Sequence, residues 1–213
     1  FYTWNPPAVT IGFFQSLEQE VDVKKTQEMG IDIVRRYTGG GAVLHDRELT
    51  YSLIVGEEDV PTDIIDSYRK ICSGVMRGLR YLNLNPEFIP INDIVINGKK
   101  ISGNAQTRKE GVVLQHGTIL IDVDPARMFS ILKVPNEKIR DKMIEKAEKR
   151  VTSLKKELSQ LITPKHLARI IQRGFEDEFN IRFREGKLSP QEETLAQKLC
   201  REKYSTREWN WWK

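Results

Sequence analysis

The chain has 213 residues, long enough to bury a core, with 34 basic and 30 acidic side chains for a net charge of +4. These charges are interleaved, which argues against a nucleic-acid-binding protein, and the 39% of apolar residues form no run long enough to span a bilayer. The opening FYTWNPPAVTIGFF has no basic leader before an apolar segment, so a cytoplasmic protein with no membrane partner is expected.

Residues 8–14, AVTIGFF, are apolar and β-branched enough for a buried strand. Val21 to Met29 reads as a short helix closed by Gly30, and IDIVRRY reads as a strand interrupted by three glycines. ELTYSLIV is expected to return as the second strand of a hairpin-like pair. Beyond Pro61, Ile64, Ile65, Tyr68, Ile71, Cys72, Val75, Leu79 and Leu82 fall three or four apart, the stripe of an amphipathic helix. IVING and KKISG flank Asn97-Gly98, a dipeptide suited to a tight hairpin, and VVLQHGTILIDV is a second long β-rich run broken at His116-Gly117.

The remainder, from about residue 136 to 213, is expected to be mostly helical. The charged run from Glu137 to Lys156 reads as a solvated helix face. Thr163-Pro164 supplies a cap and a first-turn proline, Ser189-Pro190-Gln191-Glu192 is a capping box, and Ser205-Thr206-Arg207-Glu208 repeats the box. Strands first and helices last predict an α+β domain over residues 1–213, a mixed or antiparallel sheet flanked by helices. Cys72 and Cys200 lie in apparently helical contexts without the neighbours a zinc site needs, and read as structural thiols.

Chemistry concentrates in RRYTGGGAVLHD, where Arg35, Arg36 and Thr38 stand beside Gly39, Gly40 and Gly41. Consecutive glycines permit close backbone approach and can turn N–H groups into an anion-binding concavity. There is no GxxxxGK[ST], and Leu44 stands where GxGxxG would need its third glycine, so neither a P-loop nor a dinucleotide fold is indicated. For the glycines alone, a solvated hairpin tip is the simpler reading. Lys99 and Lys100, taken alone, likewise read as a solvated turn pair.

RRYTGGGAVLHD closely resembles the signature of the lipoate-protein ligases, a family with the fold of biotin protein ligases and class II aminoacyl-tRNA synthetases. GKKISGNAQTRKEGVVLQHGTIL is similar to the family's second block, and KVPNEKIRDKM to its segment after the core strands. The resemblance implies an ATP-dependent ligase that activates lipoate to lipoyl-AMP and transfers it to a lysine of a lipoyl carrier domain, in 2-oxoacid dehydrogenase or glycine cleavage proteins. ATP and Mg2+ are then the expected cofactors. Nucleotide binding falls on Arg36, Tyr37, Gly39, Gly40, Gly41, Ala42, Val43, Leu44, His45, Lys100 and Ala105, acyl binding on Arg36, Gly41, Lys100 and His116, and catalysis on Lys100. Asp93, beside Asn92, offers oxygen ligands for magnesium. A buried ammonium at Lys100 would lower the repulsion between a carboxylate and the α-phosphate, then polarise the acyl carbonyl.

The family also contains octanoyl transferases that take the acyl group from a carrier protein through a cysteine and need no ATP. Their cysteine is expected shortly before the lysine hairpin, where this chain reads NLNPEFIPIND, so the adenylate route is preferred here. The transferase and a non-catalytic binder of lipoate or lipoyl-AMP are the alternatives. The resemblance also implies an earlier strand and helix, absent from this sequence, and a separate accessory subunit in place of a fused accessory domain. His45 and His116 could each be structural instead, Thr38 and Asp46 read as loop braces, and residues 9–14 and 112–114 could line an aliphatic tunnel or pack in the core. Trp209, Trp211 and Trp212 beside Lys213 could stack bases, but such aromatics more often pack on protein.

Overall fold

The computed structural model describes residues 1–134 and 136–212. Its strands are β1 (Ala8–Ile11), β2 (Asp32–Arg35), β3 (Val43–His45), β4 (Glu48–Gly56), β5 (Pro86–Ile89), β6 (Asp93–Ile96), β7 (Lys99–Lys109) and β8 (Val112–Leu120). Its helices are α1 (Leu17–Glu20), α2 (Val23–Glu28), α3 (Ile64–Arg80), α4 (Pro125–Ile131), α5 (Glu137–Arg150), α6 (Leu154–Leu158), α7 (Pro164–Phe179), α8 (Pro190–Leu199) and α9 (Arg207–Asn210). Two compact units interleave along the chain: residues 1–3, 47–125 and 141–183 form the first, and 4–46, 126–140 and 184–213 the second. Among the described residues no helix is long and apolar enough to cross a membrane.

The first unit is built on an antiparallel sheet in the order β4-β8-β7-β6-β5. Asp63 caps α3 by accepting from the Asp66 amide, and the predicted stripe buries Tyr68, Ile71, Cys72, Val75 and Leu79. Ile64 is 58% exposed, because the first turn projects past the core. α3 packs on α7, with Leu167, Ile171 and Phe175 joining Leu49, Ile94, Ile101 and Ile119 in one apolar cluster. The two helices approach so closely that a Cβ on Gly174 would lie 2.3 Å from the Gly74 carbonyl oxygen.

The turn at Asn97-Gly98 forms as its sequence predicts, with φ of 51° and 72°, and joins β6 to β7. A β-bulge between Ile94 and Val95 shifts the register there, so Ile101 and Ser102 are buried in succession instead of alternating. β8 runs unbroken through His116-Gly117, contrary to the sequence expectation, because Gly117 pairs with both Tyr51 and Asn104 in the sheet interior.

In the second unit β1 is central, parallel to β2 and antiparallel to β3. ELTYSLIV therefore does not form a hairpin with IDIVRRY. The chain crosses from β2 to the other edge of β1, and β4 pairs with β8 in a different sheet. Val9, Ile11, Leu17, Val21, Ile31 and Ile131 make this unit's core; Val113 is buried likewise in the first unit. The capping box at Ser189 is present in full. Its expected repeat is displaced by one residue: Thr206, not Ser205, caps α9 by accepting from the Trp209 amide.

Candidate functional site

In the first unit, the lysine hairpin places Lys100 where the bulge ends regular alternation. Its ammonium lies 2.6 Å from Asp93 Oδ1, with both side chains partly exposed. It folds over Gly103, whose missing side chain leaves that room: a Cβ there would lie 2.8 Å from Lys100 Nζ. Directly paired residues on neighbouring strands share a face, so Gly103 and Thr118, and Ala105 and His116, stand on the face that Lys100 overlies. Lys100, Ala105 and His116, chosen from separate parts of the sequence, thus come together on one sheet surface.

Asp93 does not stand ready for magnesium: its carboxylate faces the Lys100 ammonium. Among the described residues no group of three or more His, Cys, Asp or Glu side chains could hold a metal ion. These residues fit an ion pair and not a cation site.

In the second unit, Arg36 turns back into its own glycine loop. Its guanidinium donates to the carbonyls of Gly39 and Gly41, each at 2.8 Å, and to Thr10 Oγ1 at 3.1 Å. Burial lowers its pKa to about 10, so it remains a cation at neutral pH and offers the loop a fixed positive charge. A Cβ on Gly12 would lie 1.9 Å from the Gly40 carbonyl oxygen, so the end of β1 and the loop can approach this closely only without that side chain. Ala42 and the β3 residues Val43 and Leu44, following the loop, are half-buried. His45 is buried, with Nε2 2.9 Å from Thr10 Oγ1 and its ring stacked on Trp4. The ring is thereby held against β1 and Trp4. Asp46 pairs with Arg127 at 3.3 Å, a loop brace as expected. Tyr37 is 37% exposed, with the Lys203 ammonium 5.2 Å from its ring centre.

Arg35, grouped by sequence with Arg36 beside the glycines, has a different role. It is fully buried and donates to the carbonyls of Gly12, Phe13, Gln15, Trp209 and Asn210. Asn210 Oδ1 accepts from the Arg35 amide, and Trp209 Nε1 donates to the Arg35 carbonyl. Trp209 and Asn210 are therefore a clasp on the strand that leads into the glycine loop, Trp211 packs on the apolar cluster, and Trp212 is 46% exposed with its ring centre 5.3 Å from that of Phe13; Lys213 lies outside the described residues. The twin arginine before the glycines was the available signal, but only contacts about 175 positions away show which of the two is buried. An open cavity of about 380 Å3 in this unit is lined by Gln19, Asp22, Ser130 and Leu132 with Lys133, Val134 and Arg140 of the KVPNEKIRDKM segment, and by none of the residues expected to bind nucleotide or acyl group.

Cys72 is a core thiol. It is fully buried on α3, and burial pushes its pKa up to about 12. The uncharged form is favoured by folding, so this group's contribution to stability is present below about 9 and is lost as pH rises from about 9 towards about 12. Cys72 is expected to resist iodoacetamide in the native protein at pH 8 and to react after urea unfolding, as read by peptide mass. Labelling of the native thiol at the rate of a free one would contradict this.

The model of the family described as "Lipoyl protein ligase A/B catalytic domain" matches residues 1–176. The chain is 37% identical to an octanoyltransferase LipM of Geobacillus kaustophilus, over 99% of this chain and 84% of that protein. Octanoyltransferase LipM of Bacillus subtilis is 33% identical, over 99% and 85%. Among solved structures, the bi-partite lipoate protein ligase of Thermoplasma acidophilum superposes with a TM-score of 0.88 at 36% identity, covering 96% of this chain and 80% of that one. A biotin protein ligase of Aquifex aeolicus, 13% identical with a TM-score of 0.50, shares the fold. These likenesses bear out the expected α+β, biotin-ligase-like architecture. They overturn the expected ATP-dependent ligase reaction, since the curated relatives matching almost the whole chain are named octanoyltransferases. By the family match, the paired motifs and the superposition together, this chain belongs to the lipoyl protein ligase A/B catalytic domain family.

Proposed function

We propose that the chain transfers an octanoyl group from a thioester donor to the acceptor lysine of a lipoyl carrier domain, without ATP. The observation that carries this reading is the set of octanoyltransferases 33–37% identical to the chain over 98–99% of its length. The Lys100 ammonium beside Asp93 supplies the chemistry this reaction needs. The acceptor amine attacks the thioester carbonyl carbon, negative charge grows on the carbonyl oxygen, and Lys100 stabilises it. The carbon–sulfur bond then breaks, and the proton lost by the amine passes to the leaving thiolate, giving an amide and a free thiol. His116 and Ala105 share the sheet face with Lys100 and border the acyl group.

Transfer goes directly to the acceptor. Cys72 is buried and held protonated, so it forms no acyl-enzyme. Cys200 is exposed, with its sulfur 3.4 Å from Ser205 Oγ, so its part in the reaction is tested directly by substitution. The test is incubation with an octanoyl-loaded acyl carrier protein and an apo lipoyl domain, with and without ATP, followed by mass spectrometry of the acceptor. An octanoyl adduct formed equally in both, and retained by Cys72→Ser and Cys200→Ser, is the expected result. An adduct that requires ATP and the free acid, or that is lost in either cysteine variant, overturns the proposal.

A further inference from the structure

The sheet face opposite Lys100 carries an unusual row. Tyr51 on β4, Gly117 on β8 and Asn104 on β7 stand in register across three strands, facing the core. Gly117 leaves the middle of the row open: a Cβ there would lie 2.0 Å from Asn104 Oδ1 and 2.8 Å from Tyr51 Cε1. Through that gap the Tyr51 hydroxyl donates to Asn104 Oδ1 at 2.7 Å, and Gln115 Nε2 donates to the Tyr51 hydroxyl oxygen at 2.8 Å. Gln106 Nε2 extends the chain to Gln115 Oε1 at 3.0 Å.

At its other end the row grips the turn before the lysine hairpin. Asn104 Nδ2 and the Asn104 amide both donate to the Asn92 carbonyl, at 2.8 and 3.1 Å, and Asn92 Nδ2 donates back to the Asn104 carbonyl. The next residue is Asp93, whose carboxylate holds Lys100. Tyr51, Asn104 and Gln115 are each at most 4% exposed. Burying three polar side chains in an apolar core brings no stability that apolar residues of similar volume would lack, but a fully paired network fixes one geometry. Burial also keeps the Tyr51 phenol protonated, so it remains a donor.

We propose that Tyr51, Asn104 and Gln115 are positioning residues: they lock the Asn92-Asp93 turn through the sheet and thereby set where the Lys100 ammonium stands. The proposal rests on the role given to Lys100 in octanoyl transfer. Misplacing a catalytic group by about 1 Å can cost on the order of a hundredfold in rate, and loss of one hydroxyl should cost part of that.

Tyr51→Phe keeps the ring against Phe175, at 5.4 Å between centres, and deletes only the hydroxyl. It is expected to lower kcat for octanoyl transfer by about tenfold, with KM for the donor changed less than about twofold. Because the network acts through Asp93, the same substitution in an Asp93→Ala background is expected to have no further effect. Asn104→Ser provides a second cycle with Asp93→Ala should the phenylalanine variant lose its fold. Multiplying losses in the double variants, or an unchanged kcat in the folded single variants, would overturn the proposal. Hydrogen exchange at the Asn104 amide, read without substrate, separates the two ideas. Faster exchange in Tyr51→Phe while Lys100→Ala still transfers would sink the reaction assignment and leave the lock on the turn standing; unchanged exchange would sink the lock.

Discussion

Replacing Lys100 by alanine is expected to lower kcat/KM for octanoyl transfer by about 10²- to 10³-fold, the usual effect of removing a donor aimed at a developing oxyanion. Stability should change by less than about 1 kcal/mol, because the Lys100–Asp93 pair is partly exposed and such pairs contribute little. A large loss of rate with an unchanged thermal midpoint separates a chemical role from a structural one. Lys100→Arg keeps the charge but brings a wider planar group over Gly103, where the lysine ammonium already fills the room a side chain would take. It should recover no more than about a tenth of the activity, on the order of the penalty for misplacing the charge. Transfer by Lys100→Ala within about threefold of the parent protein would exclude the oxyanion role, since a single lost donor ordinarily costs far more.

The largest loss of stability is expected at Arg35, in the second unit. Its guanidinium satisfies five backbone carbonyls from residues 12, 13, 15, 209 and 210. Arg35→Met keeps much of the volume and orphans those acceptors inside the unit. A destabilisation of about 3–5 kcal/mol is expected, in the range for removing one partner of a buried charged network. Arg35→Lys should restore only part of it, because one ammonium has three donors and cannot reach both segments. Hydrogen exchange over residues 8–15 and 207–211 is the suitable measurement, since it reads this unit directly even where unfolding of the whole chain is not two-state. Protection within about 1 kcal/mol of the parent would mean that the clasp is incidental to stability.

The two expectations differ in how far the sequence discloses them. Lys100 is legible as part of a long motif, although as one of two adjacent lysines at a hairpin it would pass for a solvated turn residue. Arg35 is not legible, because its partners lie about 20 and 175 positions away and nothing local distinguishes it from Arg36. Asp93 was readable as an acidic residue near the motif, but its use as the partner of Lys100 instead of a metal ligand follows from the β6–β7 bulge. Tyr51 and Asn104 read as ordinary strand residues until register aligns them across Gly117, with Gln115 two positions along β8 on the same face.

By itself the sequence determined what short-range physics controls. The amphipathic stripe of α3, the Asn97-Gly98 turn, the box at Ser189 and the Thr163-Pro164 start of α7 each depend on residues a few positions apart, and each formed where local periodicity or capping placed it. Only the tertiary structure decided which strands are neighbours. β2 and β4 have the composition of a hairpin pair, yet one joins β1 and the other β8, because strand pairing is settled by which apolar faces can be buried together over long separations. The same long-range burial chose Arg35 for the interior and left Arg36 to the loop. It also put a polar row in the core behind Lys100, since cross-strand register, unlike helix periodicity, is not written in any local stretch of chain.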